Sequence, residues 1–182
     1  AGLRAKPKKC SLFATSVDYL GHVCSRQGVS LDPKKIAAVK TIDPRSINSL
    51  EQVRSFLGMA GYYRDHIEDF HIISSPLVDL TKNGVDVPVE SQKPAAQAAV
   101  RALIDALISD PVLMYPRSDR EFIVATDAAT GVGLGGCLKQ LDDDGKERVV
   151  AYYGRRFTKP ERNYTVTECE LLGVIESIKH FR

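Results

Sequence analysis

The spacing of apolar positions changes several times along the chain. Apolar and β-branched residues in Cys10–Phe13 and Val17–Val23, punctuated by Gly21 and Gly28, predict short strands before residue 31. From Asp32 the spacing becomes helical. Asp32 is a good N-cap, Pro33 fits the first helical position, and Ile36, Ala37 and Val39 follow until Asp43-Pro44 interrupts. Ser49 and Gln52 form a capping box ahead of a Val53, Phe56, Leu57, Ala60 stripe. Ile67, Phe70, Ile73, Leu77 and Leu80 keep helical spacing up to Thr81-Lys82-Asn83-Gly84. Arg54 and Arg64 leave the stripe, as do Tyr62 and Tyr63 at its end.

Residues 84–93, with Pro88 inside, read as a linker. An Ala-rich amphipathic helix is expected from Pro94 to about Ser109, closed by Asp110-Pro111. Strands follow at Glu121–Thr126, Val132–Gln140 and Arg148–Tyr153, with Asp142–Gly145 as a turn. Their short connections predict an antiparallel meander. Thr165 and Glu168 form a second capping box, opening a helix whose Leu171, Val174, Ile175 and Ile178 stripe should pack on that sheet. This β-β-β-α order is the beginning of an α+β domain, expected to be incomplete, with nothing after Arg182 to cover the far sheet edge.

Composition narrows the class. A 20.0 kDa chain with 43% hydrophobic and 26% charged residues is not globally disordered. No stretch approaches the ~18 apolar residues of a membrane span. The Ala1–Cys10 segment is too basic for a signal peptide. Cys10, Cys24, Cys137 and Cys169 lie far apart with no C-x-x-C pair and read as free thiols in a reducing, intracellular compartment. Lys and Arg outnumber Asp and Glu by 11 to 4 in residues 1–64, while the acids lead by 15 to 7 in residues 65–147. A basic segment beside an acidic one suits a nucleic-acid surface adjoining a carboxylate site; surface variation between two domains gives the same pattern.

Three motifs carry less than they promise. Gly131-Val-Gly133-Leu-Gly-Gly136 matches a dinucleotide fingerprint, but no helix follows and no acid stands ~20 residues on. Glycines inside a strand mark a close approach of another group. Asp142–Asp144 lies among Lys139, Gln140, Gly145 and Lys146 and reads as a solvated turn. His22-x-Cys24 with distant Cys10 lacks the ligand number and spacing of zinc. The Pro7–Lys9 run reads as a solvated entry to a strand.

What remains is Asp127, expected where the first strand of the meander ends, with Glu168 and Glu170 in the first turns of the last helix. Carboxylates from a strand and a covering helix can converge on Mg²⁺ through oxygen ligands. Helical spacing puts the two glutamates about 200° apart, so at most one should face Asp127, and geometry alone does not choose. The other reading makes Asp127 a turn cap and both glutamates partners of the helix dipole.

At this point a resemblance emerges. Tyr19-Leu20-Gly21-His22, Val53–Gly58, Tyr62-Tyr63-Arg64, Pro76-Leu77, Asp110–Leu113, Thr126-Asp127-Ala128, Gly133, Ala151-Tyr152, Glu161–Tyr164 and Glu168-x-Glu170-Leu171-Leu172 occur in this order. Together they resemble the Pol polyprotein of gypsy-like LTR retrotransposons, from the end of the reverse transcriptase palm into ribonuclease H. The resemblance implies a palm end over 1–31, a helical thumb-like unit over 32–83, the 84–93 linker, and a ribonuclease H-like domain over 94–182, truncated at its C-terminus. It further implies a parent enzyme that copies RNA into DNA and cleaves the RNA of RNA–DNA hybrids. Mg²⁺ would be held there by carboxylates including Asp127 and Glu170 (catalytic and metal positions). The hybrid would be held by its backbone through Arg54, Tyr63 and Arg64. The partners implied are an RNA–DNA hybrid or other nucleic acid and the rest of the polyprotein, with no membrane. The chain departs from that pattern: no Tyr-x-Asp-Asp string occurs, Ala129 and Gly154 stand where Ser is common, and the Trp before the Ala-rich helix is missing. With two of four carboxylates, the chain alone is expected neither to polymerise nor to cleave. The competing reading is a decayed or repurposed retroelement remnant that binds nucleic acid or protein.

Overall fold

The computed structural model describes residues 10, 13–82, 84–109 and 111–182. The Pro7–Lys9 run, Asn83 and Asp110 lie outside these residues.

The first element is a three-stranded antiparallel meander, β1 (Ser16–Tyr19), β2 (His22–Ser25) and β3 (Gly28–Leu31), in that order across the sheet. The single strand expected over Val17–Val23 is divided, because Leu20 and Gly21 both take positive φ (47° and 77°) and turn the chain. Of the strand expected at Cys10–Phe13, the described residues Cys10 and Phe13 are not extended into any ladder. Gly28 has φ of 134°, and a Cβ there would collide with the Leu113 carbonyl. That approach matters. Val29 and Leu113 exchange backbone hydrogen bonds of 2.8 and 2.9 Å, and Met114 N–H donates to Val149 O at 2.7 Å. The Leu113–Met114 segment thus stitches this first sheet to the second.

Helices α1 (Pro33–Lys40), α2 (Leu50–Tyr62), α3 (Phe70–Ile73), α4 (Ser75–Leu80) and α5 (Val87–Glu90) follow, with α6 at Pro94–Ile108. The expected caps form: the Asp32 side chain accepts from Lys34 N–H, and Ser49 with Gln52 completes a reciprocal capping box. The helical spacing after Ile67 does not make one helix. A left-handed Asp69 (φ 51°) separates α3 from the turn before it.

One core gathers Leu31, Val53, Phe56, Ala60, Leu77, Val87 and the α6 residues Val100, Leu103 and Leu107. Two expectations change here. Residues 84–93 are not an open linker, since Val87 and Ser91 are buried. The Ala-rich helix expected to open the second domain packs instead on α1, α3 and α4. Its small residues allow helices to close on it from several sides, which a sheet face would not require.

The second sheet is the expected meander, β4 (Ile123–Ala129), β5 (Gly133–Leu141) and β6 (Glu147–Arg156), order β4-β5-β6. Gln140, fully buried, anchors the approach to it, accepting from Arg117 N–H and donating to the Arg117 and Arg120 carbonyls. Helix α7 (Val166–Phe181) covers one face, opened by the Thr165–Glu168 capping box. The stripe expected to bury does not. Leu171, Val174, Ile175 and Ile178 are exposed, while Cys169, Gly173 and Ser177 face the sheet. The reason is steric: Gly136 leaves a hole that Ser177 fills, and only small residues let the helix come that close.

Candidate nucleic-acid interface and carboxylate positions

The glycines of β5 and β6 decide which surface each acid shares. Residues opposite one another in an antiparallel ladder project to the same face, and neighbours along a strand alternate. Gly136 faces Ser177 of α7, so Gly135 faces away from that helix, towards Asp69 and His71 of the helical unit. Asp127 pairs with Gly135. Its carboxylate therefore leaves the sheet on the face opposite α7.

Asp127 is also not at the strand end as expected, because β4 runs two residues further, to Ala129. Its Oδ1 accepts from the Ala128 N–H at 2.9 Å. It lines a cleft of about 140 Å³ with Glu68, Asp69, Lys139 and Tyr152. None of these neighbours was singled out by the sequence, although the glycines at 133–136 did signal a close approach.

The two glutamates of α7 are resolved by what they hold. Glu168 is committed to the helix start: its Oε2 accepts from both the N–H and the hydroxyl of Thr165 at 2.8 Å. Those bonds, the backbone one foremost, hold its carboxyl below the usual glutamate range. Glu170 is half-buried on the sheet-facing half of the helix. Asp127 thus projects from one face of the sheet, and Glu170 belongs to the helix on the other.

The two carboxylates that the resemblance implies for Mg²⁺ are divided between the faces of the sheet, Asp127 on the side away from α7 and Glu170 on α7 itself. Among the described residues no group of three or more His, Cys, Asp or Glu could hold a metal ion.

The basic and aromatic candidates separate similarly. Arg54 on α2 and Arg64 just after it are exposed, and Arg64 makes a loose 3.6 Å contact with Asp65. Tyr63 is different. It is 4% exposed, and its hydroxyl donates to Gly21 O at 3.3 Å. Burial, with Tyr62 and Asp32 nearby, raises its pKa above the ordinary tyrosine value. The ring expected to meet a nucleic-acid backbone holds the β1–β2 turn against α2 instead. Tyr62 is exposed and donates to Leu20 O. The acidic triplet is the expected turn: Asp142 accepts from Asp144 and Lys146 N–H and pairs with Arg148, while Asp143 meets Arg117 and Arg120.

No described helix is long and apolar enough to cross a membrane.

Comparison with known proteins places these features. Residues 93–182 match the RNase H-like domain found in reverse transcriptase. The whole chain is 32% identical to 18% of the retrovirus-related Pol polyprotein from transposon opus of Drosophila melanogaster. Over 96% of its length it is 33% identical to the corresponding polyprotein from gypsy, and over 99% it is 35% identical to that from transposon 412, both of the same fly. These matches span 17% and 14% of the two polyproteins, so the chain covers less than a fifth of such relatives. Among solved structures, a foamy viral protease-reverse transcriptase in complex with double-stranded DNA superposes with a TM-score of 0.74 at 21% identity, covering 96% of this chain and 30% of that one. A foamy viral protease-reverse transcriptase in complex with an RNA/DNA hybrid gives 0.73 at 21% identity over 95% of this chain and 23% of that one. The match starts at 93, with α6, although α6 packs in the helical core: family boundary and packing boundary differ. Through residues 93–182 the chain belongs to the family of the RNase H-like domain found in reverse transcriptase, and along its whole length it is a homologue of retrotransposon Pol polyproteins.

Proposed function

We propose that this chain is the thumb-like and ribonuclease H-like portion of a retroelement Pol polyprotein, holding an RNA–DNA hybrid or template–primer duplex by its sugar-phosphate backbone. Copying of RNA and cleavage of the hybrid belong to the whole polyprotein. The observation that carries this reading is the pair of exposed arginines, Arg54 and Arg64, on a helical unit whose fold matches reverse transcriptases solved with duplex. Guanidinium groups at such positions neutralise phosphates without reading bases, so binding is independent of sequence and weakens with salt.

Fluorescence anisotropy of a labelled RNA–DNA hybrid across a salt series tests this. Binding should fall log-linearly with salt, and Arg54→Ala and Arg64→Ala should each reduce the slope by roughly 0.9. Binding that ignores salt, or that both variants leave intact, overturns the reading.

The second reading, a binding module without catalysis of its own, is favoured by the position of Asp127 on the face away from α7. Incubated with hybrid and Mg²⁺, this chain should yield no cleaved RNA. Cleavage abolished by Asp127→Asn would return the nuclease to this segment.

A further inference from the structure

His71 is 8% exposed, and among the described residues neither ring nitrogen has a hydrogen-bond partner. Such a residue calls for a reason, because a buried polar group without a partner is destabilising. Its surroundings supply one. The imidazole comes from α3 of the helical unit and inserts between three glycines on the second sheet. A Cβ on Gly133 would lie 2.7 Å from His71 Cδ2, one on Gly154 would be 2.6 Å from Cε1 and collide with Nδ1, and one on Gly135 would touch Cε1 at 3.7 Å. Gly135 and Gly154 pair across the β5–β6 ladder, so the socket is built from adjacent strands. Only a neutral ring suits it. A protonated one would bring two N–H donors and a charge into a place with no acceptor for either nitrogen.

The charged and titratable groups around the ring have opposite effects. Asp69, beside α3, favours the imidazolium; Arg156 of β6 opposes it, itself tied to Asp79 of α4 at 2.9 Å. Arg64 and Asp65 from the helical unit, Tyr152 and Tyr153 from β6 and His180 from α7 line the adjoining cleft of about 170 Å³. Burial outweighs Asp69 and holds the His71 pKa below the ordinary histidine value.

We propose that His71 is a protonation-sensitive latch: neutral, it locks the helical unit onto the ribonuclease H-like sheet; protonated, it leaves the glycine socket and the two separate. Opening uncovers the sheet face that carries Asp127. The direction follows from linkage. The open state binds the proton more readily, so docking is complete above the ordinary histidine pKa and is lost as pH falls below about 6.5. Asp79, held below the usual carboxylate range by Arg156 and Lys82, stays ionised through that window.

Hydrogen exchange of the full chain tests the latch, with intrinsic rates corrected for pH. For peptides covering 133–137 and 152–157, protection should drop about tenfold between pH 7.5 and 5.5, the change expected for one proton taken up with an open-state pKa near 6.5. His71→Gln, neutral at both pH values, should show no such drop, and His180→Gln should keep it. A His71→Gln protein that loses protection as the wild type does overturns the proposal, and so does an unchanged wild type or a flat His180→Gln response. Should His71→Gln fail to fold, the wild-type imidazole titration followed by NMR decides alone: a His71 pKa below 6.5 supports the latch, and one at or above it removes the latch.

Discussion

Arg156 Nη1 donates to Asp79 Oδ1 at 2.9 Å, joining the last strand of the sheet to a helix 77 positions earlier in the chain. Burial alone would raise the Asp79 carboxyl, but hydrogen bonds from Arg156 and Lys82 outweigh it and hold the pKa below the usual aspartate value. A carboxylate depressed in the fold contributes stability above its unfolded pKa, and that contribution fades as pH falls through the folded one. Asp79→Asn should therefore lower the thermal midpoint at pH 6, and its difference from wild type should shrink below pH 4. The side chain is 45% exposed, so solvent screening keeps the effect small. A difference unchanged down to pH 2.5 would detach the pair from the stability of the fold.

Two glycine-to-alanine substitutions should act in opposite directions. Gly154→Ala places a methyl against the His71 ring and should destabilise by about 1–3 kcal/mol through overpacking. Gly58→Ala on α2 meets nothing within 4 Å and should stabilise by about 0.5–1 kcal/mol, because alanine loses less backbone entropy in a helix. Urea titration of both variants checks the signs.

Tyr63→Phe and Arg54→Ala should separate stability from binding. The first removes the hydroxyl that donates to Gly21 and should cost about 0.5–1.5 kcal/mol while leaving affinity for a hybrid unchanged. The second leaves stability within ~0.5 kcal/mol and weakens the hybrid. Measuring both properties on both proteins is the check.

Burial raises the Cys137 thiol to about 11, although Lys139 pulls the other way. At pH 8 it carries almost no thiolate, and its sulfur lies on the face closed by the helical unit. Alkylation followed by mass spectrometry should modify exposed Cys10 and spare Cys137. Gly154→Ala should make Cys137 react faster.

Thr165→Ala should cost about 1 kcal/mol by uncapping α7, measured as a shift in the thermal midpoint. Glu168→Gln should fold normally, since glutamine also completes a capping box.

The helix starts were legible because a cap is local. Asp32, Ser49 and Thr165 each satisfy backbone groups within three residues of themselves, and each forms as its neighbours imply. The second meander was legible for the same reason, its short connections leaving little choice but antiparallel pairing. The Leu171, Val174, Ile175, Ile178 stripe misled because periodicity reports amphipathicity, not which side meets a partner. Cys169, Gly173 and Ser177, less apolar but smaller, won the contact by fitting Gly136.

By itself, then, the sequence determined caps, turns, the β-β-β-α order and the resemblance to a retroelement polyprotein. These depend on residues near one another in the chain or on motifs kept in order. Tertiary structure alone decided that α6 joins the helical core, that Tyr63 is buried, and that Asp127 faces the helical unit. Each of these turns on which of two surfaces a side chain meets. A one-residue alternation in a strand or a rotation of a helix settles that, and only groups distant in sequence, such as His71 against Gly154, select between them.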